Sequence, residues 1–329
     1  MKISVIIPVY NGGAKFRRCL ESLANCIDDD SEVIVVADGE SDGSWRWASE
    51  FGAYVIKLPV NGGAAKARNT GAAKANGDIL FFIDADVALP PAALVRIRTA
   101  FIDEPGISAI IGSYDDNPQE LNFLSQYRNL LHHYVHQQAQ EDASTFWGAC
   151  GAIRRSVFWA IGGFDQSYPG ATIEDIELGY RLKQRGYRIR MVKDLQVKHL
   201  KYWEASSLIR TDIFCRALPW ARLILNNSKM INDLNLKVSQ RVSLVTAYIM
   251  VLTLICALFK PGLLIGVSAF GAILVLLNWD LYMFFRQKRG LAFSLRAILW
   301  HWFYYLYSGL GFGMALIENL RKKRTACCK

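Results

Sequence analysis

The chain has 329 residues with 38 Lys+Arg against 29 Asp+Glu, and the basic excess is confined to one end. From residue 281 onward there are nine basic residues and one acid, which leaves residues 1–280 nearly neutral at +1. Without zinc-finger spacing, an RNP-like strand or a basic recognition helix, this distribution speaks against a nucleic-acid partner. Beside long apolar runs it reads as anchoring to anionic lipid.

The seven cysteines form no CxxC pair, which fits a reduced cytosolic compartment. The adjacent Cys327 and Cys328 read as exposed thiols rather than palmitate acceptors. The run Ile3–Ile7, stopped by Pro8, is too short for a signal peptide and reads as a first strand.

In chain order, Ile3 to Pro8 predicts a buried strand and Ala14 to Ala24 a helix. Glu32 to Ala37 and Tyr54 to Leu58 predict further strands, Ala64 to Ala75 an Ala-rich helix, and Ile79 to Ile83 (ILFFI) a fully apolar strand. Pro90-Pro91 suits the start of another helix, where a missing N–H costs nothing. Strand–helix alternation predicts an α/β fold with a mostly parallel sheet covered on both faces. Ligands then bind beyond the carboxyl ends of the strands. No GxGxxG follows a strand and no GxxxxGK[ST] occurs, so neither a dinucleotide fold nor a P-loop is indicated.

What does follow the strands is informative. Asp84-Ala85-Asp86 comes directly after ILFFI. Alternate residues of an extended chain point to one side, so both carboxylates can meet a hard cation, Mg2+ or Mn2+, and the ribose-diphosphate it accompanies.

Six ordered stretches, VIIPVYNGG (5–13), VVADGESDGS (35–44), NGGAAKARNTGAAKANGD (61–78), ILFFIDADV (79–87), WGACGAIRRSVFWAIGGFD (147–165) and IEDIELGYRLKQRGYRI (173–189), carry a resemblance. Over residues 3 to about 200 the chain resembles the inverting family 2 glycosyltransferases of the GT-A fold. The resemblance implies that the first loop, with Pro8 and Tyr10, and the acid after the second strand, Asp38, hold the nucleotide. The family often has two acids there; this chain has Ala37 and then Asp38. It further implies Asp84 near the ribose, Asp86 on the metal, and Asp175, beside Glu174, as the catalytic base.

Chemistry supports that last role. Inverting transfer is one in-line displacement in which the acceptor hydroxyl loses its proton, and a placed carboxylate contributes ~10²–10⁴-fold. Glu174, Asp175 and Glu177 open a helical stretch running to Gln184. Arg68 and Asn69, one turn into the Ala-rich helix, can approach the diphosphate or base, or hydrogen-bond a loop. His199, after the strand-like Leu195 to Lys198, is a candidate metal ligand. His132, His133 and His136 lack a nearby carboxylate and are expected to be solvated or interfacial. Trp147 and Gly148 are placed on the acceptor side.

A second regime follows. Residues 201–240 predict an amphipathic interface helix with tryptophans, arginines and a break at Pro219. Three uncharged segments come next, Val242–Phe259, Gly262–Trp279 and Ala297–Ile317, the last containing a YSGLGFG break. Each is long enough for a hydrocarbon core of ~30 Å. Three crossings would put the basic 286–296 loop and the basic 321–329 tail on opposite sides, against the positive-inside rule, so the third segment either spans or is re-entrant or in-plane.

The expectation is therefore a membrane-anchored transferase at the cell (inner) membrane, multi-pass, with its 1–200 domain cytoplasmic. Its donor would be a nucleotide sugar, expected to be a UDP-sugar, and its acceptor a hydroxyl of a lipid or lipid-linked glycan. The alternative is a polyprenyl-phosphate sugar synthase, whose ionised acceptor needs no base. A nucleotidyltransferase fits less well, since PVYNGG has no basic residue before Lys15. A non-catalytic binding protein would not need the intact acids.

Overall fold

A computed structural model describes residues 1–168, 170–227 and 234–327. The chain forms two compact units, Met1–Tyr202 and Trp203–Lys329.

The first unit is built on a sheet of strands β1 (Ile3–Val9), β2 (Ser31–Asp38), β3 (Tyr54–Leu58), β4 (Ile79–Ile83), β5 (Val87–Ala88), β6 (Ala109–Tyr114), β7 (Cys150–Arg154) and β8 (Ile189–His199). Their order is β3-β2-β1-β4-β7-β6-β8-β5. The β1–β2, β1–β4, β2–β3 and β6–β8 pairs are parallel, and β7 enters antiparallel between β4 and β6. Helices α1 (Gly13–Ala24), α2 (Ser44–Glu50), α3 (Ala64–Lys74), α4 (Ala93–Asp103), α5 (Phe123–Gln137), α6 (Arg155–Ala160) and α7 (Glu174–Gln184) accompany it.

Every residue of β4 is buried, as a strand covered on both faces requires. The small residues of α3 let it lie close to the sheet: a Cβ at Gly71 would come 2.6 Å from Ile6 Cγ2. The carboxyl ends of β1, β2 and β4 deliver Tyr10, Asp38 and Asp84 to one edge. There Gly39 takes φ +64, and a side chain would collide with the Asn61 amide at 2.2 Å.

The second unit contains α8 (Ala205–Arg210), a π-helical stretch (Thr211–Ala217), α9 (Leu218–Asn227), α10 (Val238–Ala257), α11 (Leu264–Leu277), α12 (Trp279–Arg289) and α13 (Leu291–Cys327). The π turn immediately precedes Pro219, whose missing N–H interrupts the α-helical ladder.

The helix of the second apolar segment ends at Leu277, and the chain bends by 70° before Trp279. One expectation needs correction. The YSGLGFG sequence is no break, because α13 runs through it. Of the expected basic tail, Arg321–Lys323 lie on α13, while Cys328 and Lys329 fall outside the described residues. Among the described residues, α10 is the one helix long and apolar enough by itself to cross a membrane.

Candidate active site

Asp38 ends β2 fully inside the unit. Gly62 N donates to its Oδ1 at 2.7 Å and Gly63 N to its Oδ2 at 2.9 Å. The carboxylate thus fastens the loop that launches α3, and a nucleotide would have to use its remaining lone pairs. Tyr10 is 57% exposed on the neighbouring loop, just after Pro8 and Val9. Asn11 there has φ 49, and its Oδ1 accepts from Ser41 N at 2.8 Å, so a side-chain bond holds the loop.

Arg68 is the centre of the arrangement. Its Nη2 donates to Asp84 Oδ1 and its Nη1 to Glu174 Oε1, both at 2.7 Å. The guanidinium is buried, and lies 5.4 Å from the Phe164 ring centroid. Gly148 makes room for it, since a Cβ there would stand 2.9 Å from Arg68 Cζ. Arg68, expected on the donor side, here has a carboxylate partner on each terminal nitrogen, as a buried cation requires. Asn69 serves the loop, donating to Phe164 O at 2.8 Å and accepting from Phe164 N at 2.9 Å.

Asp175 opens α7 beside Glu174. Gly148 N donates to its Oδ2 at 2.9 Å and Ile176 N to its Oδ1 at 2.7 Å. Desolvation, and after it the negative charge of Glu174, raises the Asp175 pKa from 3.8 to about 7, against the pull of Gly148 N and Arg68. That is where a general base is most useful near neutral pH. Glu177 has a structural role: it pairs with Arg181 at 2.7 Å, and Arg181 also donates to Ile161 O and Gly163 O.

Asp86 and His199 come together through the β5–β8 pairing, in which Val87 faces His199. Asp86 Oδ2 lies 3.9 Å from His199 Nε2. Burial, with Lys201 next, lowers the His199 pKa to about 3, so the imidazole is neutral and the contact is not an ion pair. A neutral imidazole and a carboxylate at this separation fit two positions of one divalent cation. Among the described residues no set of three His, Cys, Asp or Glu side chains surrounds such a site, so the remaining positions would fall to donor phosphates and water. Asp84, expected on both ribose and metal, is tied to Arg68 on one oxygen.

Around Trp147, expected on the acceptor side, the structure gathers His132, His136 and one residue that sequence reasoning did not single out, Tyr114. Tyr114 stacks on His199 at 4.2 Å between centroids and meets Trp147 edge-on at 4.8 Å. His132 lies 4.6 Å from Tyr114 and 4.8 Å from Trp147, and His136 packs 5.1 Å from Trp147. Of the expected alternatives, solvated or interfacial, the solvated one does not hold: His133 and His136 are buried and His132 is half-buried. His133 Nδ1–H donates to Tyr114 O at 2.7 Å and His136 Nδ1–H to Gly112 O at 3.1 Å, so α5 is fastened to β6. Burial lowers the His136 pKa to about 4. The i,i+4 spacing of His132 and His136 was the available signal for a shared face.

The family model "Glycosyl transferase family 2" matches residues 4–162, and "N-terminal domain of galactosyltransferase" matches residues 128–204. Residues 4–162 thus carry a family 2 glycosyltransferase domain. The chain is 30% identical over 205 residues to the probable glycosyltransferase YdaM of Bacillus subtilis, covering 57% of this chain and 48% of that protein. It is 26% identical over 259 residues to validoxylamine A glucosyltransferase of Streptomyces hygroscopicus subsp. limoneus, covering 66% and 57%. The chain thus spans about half the length of these curated relatives. Among solved structures, the mannosyltransferase PcManGT from Pyrobaculum calidifontis, in complex with GDP-Man and Mn2+, matches 94% of this chain and 86% of its own with a TM-score of 0.61. At 17% identity that likeness speaks to the fold alone, which is of the GT-A type.

Proposed function

We propose that the chain transfers a sugar, with inversion, from a nucleotide-sugar donor to a hydroxyl of a lipid or lipid-linked glycan. The observation that carries this reading is Asp175, a carboxylate raised to about 7 and aimed by the Gly148 amide. In the transfer the acceptor oxygen bonds to the anomeric carbon as its proton passes to Asp175. The bond from that carbon to the diphosphate breaks, and its electron pair leaves with the phosphate oxygen. Tyr10, Pro8 and Asp38 border the donor, Asp84 faces its ribose, and Trp147 with Tyr114 walls the acceptor. A divalent ion held by Asp86 and His199 would neutralise the departing diphosphate. Arg68 positions Asp84 and Glu174.

A proton acceptor active near neutral pH favours a hydroxyl over a polyprenyl phosphate, which is already ionised. The donor is taken as a UDP-sugar. A GDP-sugar, as in the mannosyltransferase complex, is the second candidate. The second unit is read as the anchor, with α10 and α11 as a membrane hairpin and the first unit on the cytoplasmic side. Membranes containing the protein are to be incubated with a panel of labelled nucleotide sugars and the lipids extracted. Label in the lipid fraction from one donor, absent with Asp175→Asn, is expected. Transfer undiminished in that variant would overturn the assignment of the base.

A further inference from the structure

We infer that α13, despite its length and apolar character, does not cross the membrane but lies in its plane across the open end of the α10–α11 hairpin. The inference rests on the reading of the second unit as a membrane anchor, and it turns on Asn278.

Asn278 sits at the 70° bend, almost fully buried. Its Nδ2 donates to Ser243 Oγ and to Leu274 O, each at 3.0 Å. Gln240 Nε2 donates to its Oδ1 at 3.4 Å. The Tyr305 hydroxyl stands 2.8 Å from both Asn278 Oδ1 and Gln240 Oε1 and 3.0 Å from His301 Nε2. The start of α10, the end of α11 and the middle of α13 therefore meet at one polar level.

The hairpin's arms extend from that level in step. Helix α10 has 20 residues, about 30 Å at 1.5 Å per residue, and Pro261–Leu277 brings the chain back. The far part is apolar and open: Leu258, Phe259 and Ile265 are 78%, 83% and 79% exposed. A polar cluster at the near end and a bare apolar far end match an interface and a hydrocarbon core.

Helix α13 stays at the near end. Were it a span, its middle would lie at the hydrocarbon centre beside the middle of the hairpin. Instead Tyr305 reaches the hairpin's two ends, and the Tyr307 hydroxyl donates to the buried Asp212 at 3.0 Å. Towards its start, Ser294 Oγ donates to Tyr282 O at 2.8 Å. Further on, a Cβ at Gly311 would stand 2.8 Å from Ala217 Cβ, and Arg222 pairs with Glu318 at 2.7 Å. Contacts with the hairpin's arms come from side chains that reach between the levels, as Tyr248 does in donating to Leu306 O at 2.7 Å and as Trp302 does beside Gly271. The chain so makes an even number of crossings. Arg286, Lys288 and Arg289 then share a side with Arg321, Lys322 and Lys323, and the positive-inside conflict disappears.

Cysteines introduced singly at Gly262, Gln287 and Leu320 test this in a background where Cys215, Cys256, Cys327 and Cys328 are serine and the buried Cys19, Cys26 and Cys150 remain. A membrane-impermeant maleimide is applied to intact cells and again after permeabilisation. We expect position 262 to label from outside, and positions 287 and 320 only after permeabilisation. Outside labelling at 320 but not at 287 would mean that α13 crosses, leaving the anchor reading intact and overturning the inference. Absence of outside labelling at 262, together with release of the protein by an alkaline carbonate wash, would overturn the anchor itself and the inference with it.

Discussion

Asp84 and Glu174 meet on a single guanidinium, each accepting a 2.7 Å hydrogen bond from Arg68. The two acids are thereby one electrostatic unit, and the charge of Arg68 is among the influences that hold Asp175 down.

Replacing Arg68 by Met should cost about 3–5 kcal/mol, because it leaves the buried Glu174 carboxylate without its cation. Arg68→Lys, which keeps the charge but cannot bridge two acids in a planar fork, should fold and lose activity. In whichever variant folds, the acid limb of the rate profile should shift as Arg68's hold on Asp175 is altered, moving upward in Met. Thermal melts and pH profiles read the two effects separately. An unmoved limb would leave Arg68 with a purely structural role.

Asp175→Asn should reduce kcat by about 10²-fold or more with the donor KM retained. In the unaltered enzyme kcat/KM should fall as the pH drops through about 7, since only the carboxylate accepts the proton. The stability sign is opposite. A carboxyl whose folded pKa lies above its unfolded value of 3.8 costs stability as pH rises from about 4 through 7. Asp175→Asn should therefore melt higher than the unaltered protein at pH 8 and about equally at pH 4. Differential scanning calorimetry at both pH values checks the crossover.

Asp86→Ala and His199→Ala should each weaken Mn2+ binding in the presence of nucleoside diphosphate, measured by electron paramagnetic resonance of free Mn2+. Transfer by the unaltered enzyme should stop in EDTA and return with added Mg2+ or Mn2+. Activity that persists in EDTA would remove the metal from the proposed reaction.

Asn278→Leu removes the side chain that joins α10, the bend and α13, and leaves Ser243 and Tyr305 short of a partner. A loss of about 1–3 kcal/mol is expected, read as an earlier unfolding midpoint of the detergent-solubilised protein. An unchanged midpoint would mean that backbone packing alone sets the bend.

The parallel half of the sheet is legible in the sequence because β1, β2 and β4 are buried on both faces and leave continuous apolar runs. Strands β6 and β7 escape such a reading. Gly112 and Gly151 interrupt them where close neighbours leave no room for a side chain, at 2.5 Å from Leu195 O and 2.4 Å from Trp147 O. The acids of the site could be named from their positions after strands and at a helix start. The task of Arg68 could not, since its partners lie far away in the chain and only the closed sheet brings them together. The bend at Asn278 was equally hidden, because one amide in an uncharged run leaves the run looking like a span.

Ile83 and Cys150 face each other across the β4–β7 ladder, and that rung has an outcome for how the enzyme can diversify. Asp84 follows the first, and Gly148 lies just ahead of the second. The separation between Asp84 and the loop whose Gly148 amide holds Asp175 is therefore set by one cross-strand pair. The long excursion between those strands, which carries Tyr114, His132 and His136, can lengthen or change its side chains without resetting that separation. In the proposed reaction, acceptor choice and bond-making geometry would then be separable traits, written in different stretches of the chain.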